Sequence, residues 1–231
     1  MKLYYAPASS YSQRVLIALY EKNVEFTPIQ VDLFDPKGRS RYRQINPFAK
    51  VPTLVTDSGQ VLFEACIIIE YLDQHFENAP HLIPRNPSYA LEVRAIERMI
   101  DTYINSGREA LFADTQRLVE ERGKQEAVKA HRLLETACTL LDERLRGRTW
   151  LAGETFSLAD CAAAPTLTYL RIVYNYYPLS QLTNYVRRLE ARPSVARALN
   201  EGRDQMMQML STLPYPQKLV PLAESLVSLN Q

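Results

Sequence analysis

Tyr5 and Ser9, in Tyr5-Ala6-Pro7-Ala8-Ser9-Ser10, each carry a hydroxyl that could stabilise an anion. A hydroxyl that donates to a sulfur favours the thiolate over the thiol, and a helix N-terminus aimed at the same atom adds to that effect. Ser9 equally suits a helix cap, a role for which Ser10 and Ser12 compete. Further along stands Lys50-Val51-Pro52. A residue before proline is held extended, so Val51 turns its N–H and C=O sideways, where an extended peptide can pair as an added strand. Pro52 can also simply begin the next strand. Lys50 can neutralise a carboxylate or stay solvated. Glu64-Ala65 opens a periodic apolar stretch whose first-turn N–H groups can receive a carboxylate, with Glu64 placed to meet an ammonium group. Alternatively, Glu64 only complements the helix dipole.

The other reactive side chains point to less. Cys66, Cys138 and Cys161 are far apart, with no C-x-x-C pair and no zinc spacing, as expected of free thiols in a reducing compartment. Cys66 and Cys161 fall inside helical patterns, where cysteine behaves as a small hydrophobe. His75, His81 and His131 have no ligand-like spacing, so no metal is expected.

These residues need elements to hold them. Lys2 to Tyr5 reads as a strand, Ser12 to Lys22 as a helix with Val15, Leu16 and Leu19 on one face, and Thr27 to Leu33 as a strand that Pro28 confines to a sheet edge. Asp35 to Ile45 reads as a loose polar helix. Thr53 to Thr56 and Val61 to Phe63 flank Asp57-Ser58-Gly59 as a hairpin. Ile67, Ile68 and Ile69 favour a strand by propensity, yet Ile68, Tyr71, Leu72 and Phe76 keep helical spacing, so Glu64 to Phe76 is read as a helix. The proline-rich stretch Asn78 to Pro87 is a linker. Beyond it the pattern is helical: Ile96, Met99, Ile100 and Tyr103 form one stripe, and Ala130, Leu133, Leu134, Ala137, Leu141 and Leu145 another. Ser157 and Asp160 form a capping box, with Phe156 as a staple toward Cys161. Pro178 and Pro193 divide the last helices, and the tail from Leu213 is extended apart from a final turn over Leu222 to Leu229. The expected organisation is an α/β domain over 1–78 and an all-α domain over 88–231.

With 27 basic and 26 acidic side chains the net charge is +1, and no basic run exceeds Arg187-Arg188, which argues against nucleic-acid binding. The chain opens directly on a strand-like run without a signal-peptide core, and no stretch is long enough to span a membrane, so a cytoplasmic location is expected.

Four segments carry a resemblance. Tyr5-Ala6-Pro7-Ala8-Ser9-Ser10 resembles the first turn of serine-type glutathione transferases, and Asn46-Pro47-Phe48-Ala49-Lys50-Val51-Pro52-Thr53-Leu54 resembles the family's segment before its third strand. Glu64 to Leu72 resembles its E-S-x-A-I-x-x-Y-L helix start, and Phe156 to Asp160 the capping motif of its sixth helix. The resemblance runs from residue 3 to about residue 200 and implies a thioredoxin-like domain followed by a helical one, the glutathione transferase fold. It implies that Pro52 is cis, that Val51 pairs with the cysteine of glutathione, that Lys50 meets its glycine carboxylate, and that Glu64 and Ala65 meet its γ-glutamyl end. Ser9 matches the thiolate-stabilising serine, with Tyr5 as its rival. A homodimer is usual for the family. Ala65 departs from the pattern, since a serine or threonine usually adds a hydroxyl there. One hydrogen bond to a charged group is lost, about 1.5–3 kcal/mol, which weakens glutathione binding on the order of tenfold or more.

Three functions fit. The first is a glutathione transferase acting on apolar electrophiles, in a pocket walled by Tyr11, Phe34, Tyr103 and Phe112, with Tyr169, Tyr174, Tyr176, Tyr177, Met206, Met209 and Leu213 as further candidates. These aromatic and Met residues suit a plain core equally well. The second is a non-catalytic interaction protein. Tyr11-Ser12 and Glu64 to Phe76 also resemble the stringent starvation protein A group, which implies binding to RNA polymerase without the usual transferase activity. Ala65 is compatible with that reading, whereas Ser9 and Lys50 favour the enzyme. The third is a specialised isomerase or reductive lyase: Ser9-Ser10 resembles the start of an S-S-C motif whose cysteine Tyr11 replaces.

Overall fold

A computed structural model describes residues 1–77 and 79–222. The expected final turn over Leu222 to Leu229 lies outside the described residues apart from Leu222 itself. The chain runs β1 (Lys2–Tyr5), α1 (Ser10–Glu21), β2 (Thr27–Gln30), α2 (Pro36–Tyr42), β3 (Thr53–Val55), β4 (Val61–Phe63) and α3 (Ala65–His75). Helices α4 (Pro87–Met99), α5 (Ser106–Thr115), α6 (Gln125–Arg144), α7 (Leu158–Leu170), α8 (Ser180–Ala191) and α9 (Pro193–Ser211) follow. An α/β layer thus precedes an all-helical one.

The sheet order is β2-β1-β3-β4, with β1 parallel to β2 and antiparallel to β3, and β3 antiparallel to β4. Pro28 lies on the edge strand, where a missing donor is tolerated. That strand ends at Gln30, earlier than alternation through Leu33 suggests, and α1 begins at Ser10 rather than Ser12. Only Pro36–Tyr42 of the loose second helix is helical, with Asp35 as its cap.

Helix α1 is covered on both sides: it packs on α3 within the α/β layer and on α7 and α9 of the helical layer. Val15, Leu16, Ile17, Ala18 and Leu19 are all fully buried, so no face remains for solvent. The linker is pinned rather than loose. The Asp73 carboxylate accepts from the Leu82 amide at 2.8 Å, the Ile83 amide at 3.2 Å and Lys22 Nζ at 3.0 Å.

A π turn, Ile100–Asn105, joins α4 to α5. Its wider winding shifts the apolar stripe. Tyr103, expected on that stripe, is exposed, and Ile104 is buried in its place. In α7 the fully buried Asp160 accepts from the amides of Leu151 (3.1 Å) and Ser157 (2.9 Å) and from the hydroxyls of Ser157 (3.0 Å) and Tyr185 (2.6 Å), forming the capping box read from the sequence. Phe156 packs edge-on against Trp150, with ring centroids 5.1 Å apart. Cys138 and Cys161 lie in the core, and burial pushes both thiols up, as it does the half-buried Cys66.

Candidate functional site

Strand register brings three loops to one edge of the sheet. Tyr4 pairs with Thr53, and Thr53 with Phe63, so the C-terminal end of β1, the N-terminal end of β3 and the C-terminal end of β4 coincide. Ser9 follows the first, Val51 precedes the second, and Glu64 and Ala65 follow the third. The candidate residues, scattered in sequence, therefore share one edge.

Ser9 is the cap of α1. Its hydroxyl oxygen accepts from the Ser12 amide at 3.3 Å, and its own amide donates to the Ala6 carbonyl at 3.0 Å. Ser12, the competing cap, is buried with its hydroxyl accepting from the Ala6 amide at 3.3 Å. In a cap the serine oxygen is an acceptor, so the Ser9 proton stays available to a sulfur lying before the helix. Capping and thiolate stabilisation are compatible in one residue. Tyr5 is placed differently. Strand alternation puts it on the same face as Leu3, and it lines a cavity of about 540 Å³ together with Leu19, Tyr20 and Phe26, away from the Ser9 turn.

The Val51–Pro52 bond is cis. A buried polar brace supports it from below. The Lys50 carbonyl accepts from Tyr42 Oη at 2.8 Å and Asn46 Nδ2 at 2.9 Å, and both groups also reach Thr53 Oγ1, at 2.6 and 2.9 Å. Tyr42, Asn46 and Thr53 are all buried. Among the described residues the Val51 amide and carbonyl bond no other backbone group, so they stay open for a strand-like partner. The Lys50 side chain is exposed.

Glu64 sits at a left-handed φ of 72°, a conformation that costs on the order of 1 kcal/mol or more for a residue with a side chain. Its carboxylate makes no cap bond to α3. The first helical bond runs from the Ile68 amide to the Glu64 carbonyl, which leaves the amides of Ala65, Cys66 and Ile67 without helical partners. Ala65 is buried at this end.

The seam between the layers meets the Ser9 turn. Gln13 Nε2 donates to the Pro7 carbonyl at 2.9 Å and to Tyr169 Oη at 2.6 Å, and the Ala8 amide donates to Gln205 Oε1 of α9 at 3.1 Å. Burial pushes the Tyr169 phenol up to about 12, so it is neutral at physiological pH. Ala8, Phe112, Met209 and Leu213 pack around Tyr169, Met206 and Leu210. Beside them a cleft of about 610 Å³ is lined by Pro7, Phe34, Gln205, Met209 and Leu213 among others. Of the aromatic wall candidates, Phe34 lines this cleft and Phe112 and Tyr169 pack beside it, whereas Tyr11 packs on the main core with its hydroxyl against Asn105. Tyr176 and Tyr177 are core, Tyr174 stands against His131, and Tyr103 is exposed on the π turn.

Tyr42, Gln13 and Gln205 escaped the sequence reading. Asn46 and Thr53 lay within a recognised segment, but nothing in their types revealed the shared carbonyl. Among the described residues there is no group of His, Cys, Asp and Glu able to hold a metal ion, and no helix long and apolar enough to cross a membrane.

Comparison with known proteins agrees with this geometry. A family model for the glutathione S-transferase N-terminal domain matches residues 3–80, and one for the C-terminal domain matches residues 96–193. The chain is 29% identical over 212 residues to a stringent starvation protein A homolog of Coxiella burnetii, spanning 90% of this chain and 96% of that one. It is 30% identical over 207 residues to glutathione S-transferase GstA of Escherichia coli O157:H7, spanning 87% and 98%. A solved glutathione S-transferase from Methylobacillus flagellatus KT, with glutathione bound, matches with a TM-score of 0.77 at 27% identity, over 85% of this chain and 98% of that one. A four-stranded layer carrying a cis-proline beside a capped helix, an all-helical layer after it, and matches to both family segments together place this chain in the glutathione S-transferase family.

Proposed function

We propose that the protein is a glutathione transferase that binds glutathione on residues 1–78 and stabilises its thiolate for attack on an electrophilic carbon. Gln205, Met209 and Leu213 of the helical part supply one wall of the second-substrate cleft, facing Pro7 and Phe34. The observation that carries this reading is the open main chain of Val51, beside the braced Lys50 carbonyl, at the sheet edge that also bears the Ser9 cap. Val51 pairs with the cysteine of glutathione, Lys50 neutralises its glycine carboxylate, and the free amides at the start of α3, with Glu64, take the γ-glutamyl end. Ser9 donates to the sulfur. A free thiol has a pKa near 8.5, so a donor and a helix N-terminus at the sulfur raise the thiolate fraction at neutral pH. The protein works as a cytoplasmic homodimer.

Calorimetric titration of glutathione at neutral pH tests the site. Micromolar to millimolar binding, competed by an S-alkyl glutathione, is the expected result; absence of binding at several millimolar sinks the reading. Ser9→Ala is expected to lower the conjugation rate about ten- to hundredfold while changing glutathione affinity less, since a hydrogen bond to a charged group is worth about 1.5–3 kcal/mol. An unchanged rate would remove Ser9 from the chemistry.

One feature favours a second reading, a glutathione-transferase-fold interaction protein without catalysis. Ala65 offers no hydroxyl to a carboxylate at the start of α3, and a relative matching 96% of its own length is named a stringent starvation protein A homolog. Ala65→Ser tests whether the missing hydroxyl matters. It is expected to tighten glutathione binding about tenfold, from the same hydrogen-bond magnitude. A flat affinity would show that other groups already satisfy that carboxylate.

A further inference from the structure

The seam beside the Ser9 turn contains a cation that the glutathione site does not use. Arg108 lies in the first turn of α5, and its side chain is 17% exposed. Its Nη2 donates to Asn105 Oδ1 at 2.7 Å, whereas its Nε is buried with no hydrogen-bond partner among the described residues. Among the described residues the one carboxylate in ion-pair range, Glu109, stands 3.9 Å from Nη2 with its own side chain 63% exposed. Burial lowers the Arg108 pKa, which reports the cost of desolvating a guanidinium that a neutral amide only partly offsets.

Its position is fixed by neighbours on both layers. Asn105, the last residue of the π turn, donates through Nδ2 to Tyr11 Oη at 2.6 Å, and Tyr11 follows Ser9 by two positions in the chain. The phenols of Tyr11 and Tyr169 and the guanidinium of Arg14 are its electrostatic neighbours. Phe112, one turn further along the same face of α5, packs with Ala8 and Tyr169 in the strip that leads to Met209 and Leu213 at the 610 Å³ cleft. Arg14 cannot play the same part. Its guanidinium is taken up by Asp101 at 3.1 Å, Glu97 at 3.6 Å and Thr166 at 3.0 Å. Arg108 is therefore an under-partnered cation beside a strip of aromatic and apolar side chains. Such a fork matches a carboxylate and is strengthened by the low dielectric around it.

We propose that Arg108 selects electrophiles that carry a carboxylate, holding that group at the α5–α1 seam while the reacting carbon faces the sulfur at Ser9. This substrate class rests on the transferase reading. With an aryl halide as probe the step balances simply. The thiol proton passes to solvent, the thiolate forms a C–S bond, and the C–Cl bond breaks with chloride leaving on its electron pair.

The test compares a chloronitrobenzoate with the matching neutral chloronitrobenzamide. Binding of each is measured by calorimetry on the full-length protein, without and then with glutathione, and kcat/KM is measured for both. The expected result is a preference of about ten- to hundredfold for the carboxylate, the size of one charge-assisted hydrogen-bonded pair. That preference collapses in Arg108→Gln and is partly kept in Arg108→Lys, which retains the charge without the fork, while glutathione affinity is unchanged in both variants. Equal binding of the two probes to the unmodified protein overturns the proposal, and so does a preference that survives Arg108→Gln. The two readings fail separately. Glutathione binding without a carboxylate preference removes the Arg108 assignment alone. A carboxylate preference in a protein that ignores glutathione removes the transferase reading and leaves the anion site standing.

Discussion

Gly202→Ala is expected to lower the melting temperature by about 6–12 °C and to slow conjugation on the order of tenfold, because α9 crosses the Ser9 turn through this glycine. A β-carbon at Gly202 would overlap the Pro7 carbonyl oxygen and lie 2.7 Å from Gln13 Nε2. The first of these is main chain, which cannot swing aside. Relief must come from backing α9 away, and that breaks the contact between Gln205 and the Ala8 amide and loosens Gln13 between Pro7 and Tyr169. Overpacking at backbone contacts reaches about 3 kcal/mol, and a chain of this size loses about 2–4 °C per kcal/mol. The turn that moves is the one holding Ser9, so activity is lost beyond what instability explains. Calorimetric melting and initial rates with a standard aryl halide check both halves. A melting temperature within about 2 °C of the parent, less than 1 kcal/mol for this size, would show that α9 yields freely there.

Arg14→Met is expected to cost about 3–5 kcal/mol at neutral pH, and much less in mild acid. Arg14 is 2% exposed and faces Glu97, which is 5% exposed, so the substitution leaves a buried carboxylate facing only the exposed Arg98, 4.0 Å away, among the described residues. Asp101, the other partner, keeps Arg98 at 3.4 Å. Burial already holds the Glu97 pKa above the ordinary carboxylate value, and Arg14 pulls it back down. Removing Arg14 raises it further. A carboxyl whose folded pKa exceeds its unfolded value, about 4.3 for glutamate, contributes its full stability below the unfolded value and loses it as pH rises through the folded one. The deficit of the variant should therefore be small near pH 4, widen through the raised pKa, and level off toward neutrality. Denaturant unfolding of parent and variant across that range reads the difference directly. Adding Glu97→Gln should flatten the curve. A deficit that ignores pH would mean that Arg14 acts by packing alone.

Much of the fold was legible because its signals are local. Pro28 marked an edge strand, Asp57-Ser58-Gly59 a hairpin, and Ser157 with Asp160 a helix start, and each depends on residues close in sequence. The placement of Ser9, Val51 and Glu64 at one edge was legible through recognised segments, whereas the register that unites them is not written in any one of them. What escaped depends on contacts across the chain. Gln13 and Arg14 of α1 are both buried, since that helix is covered on two sides. Tyr103 and Ile104 exchanged places because the stripe assumed an unbroken α-helix, and the π turn inserts extra winding that no single residue announces. Strand alternation also separates Tyr5 from Ser9: Tyr5 lines a cavity with Leu19 and Tyr20, while Ser9 caps α1.

The shared helix α1 has a consequence for how such a chain can change. The two family segments part between residues 80 and 96, and that seam invites the picture of interchangeable modules. Structurally the partition runs elsewhere, along the far side of a helix that begins at Ser10 and carries Arg14 into a socket built by Glu97, Asp101 and Thr166. A hybrid joining this first half to a foreign second half would strand a buried cation and uncover a strip of aliphatic side chains. The halves can diverge in loops and clefts, but across α1 they are inherited as a matched pair.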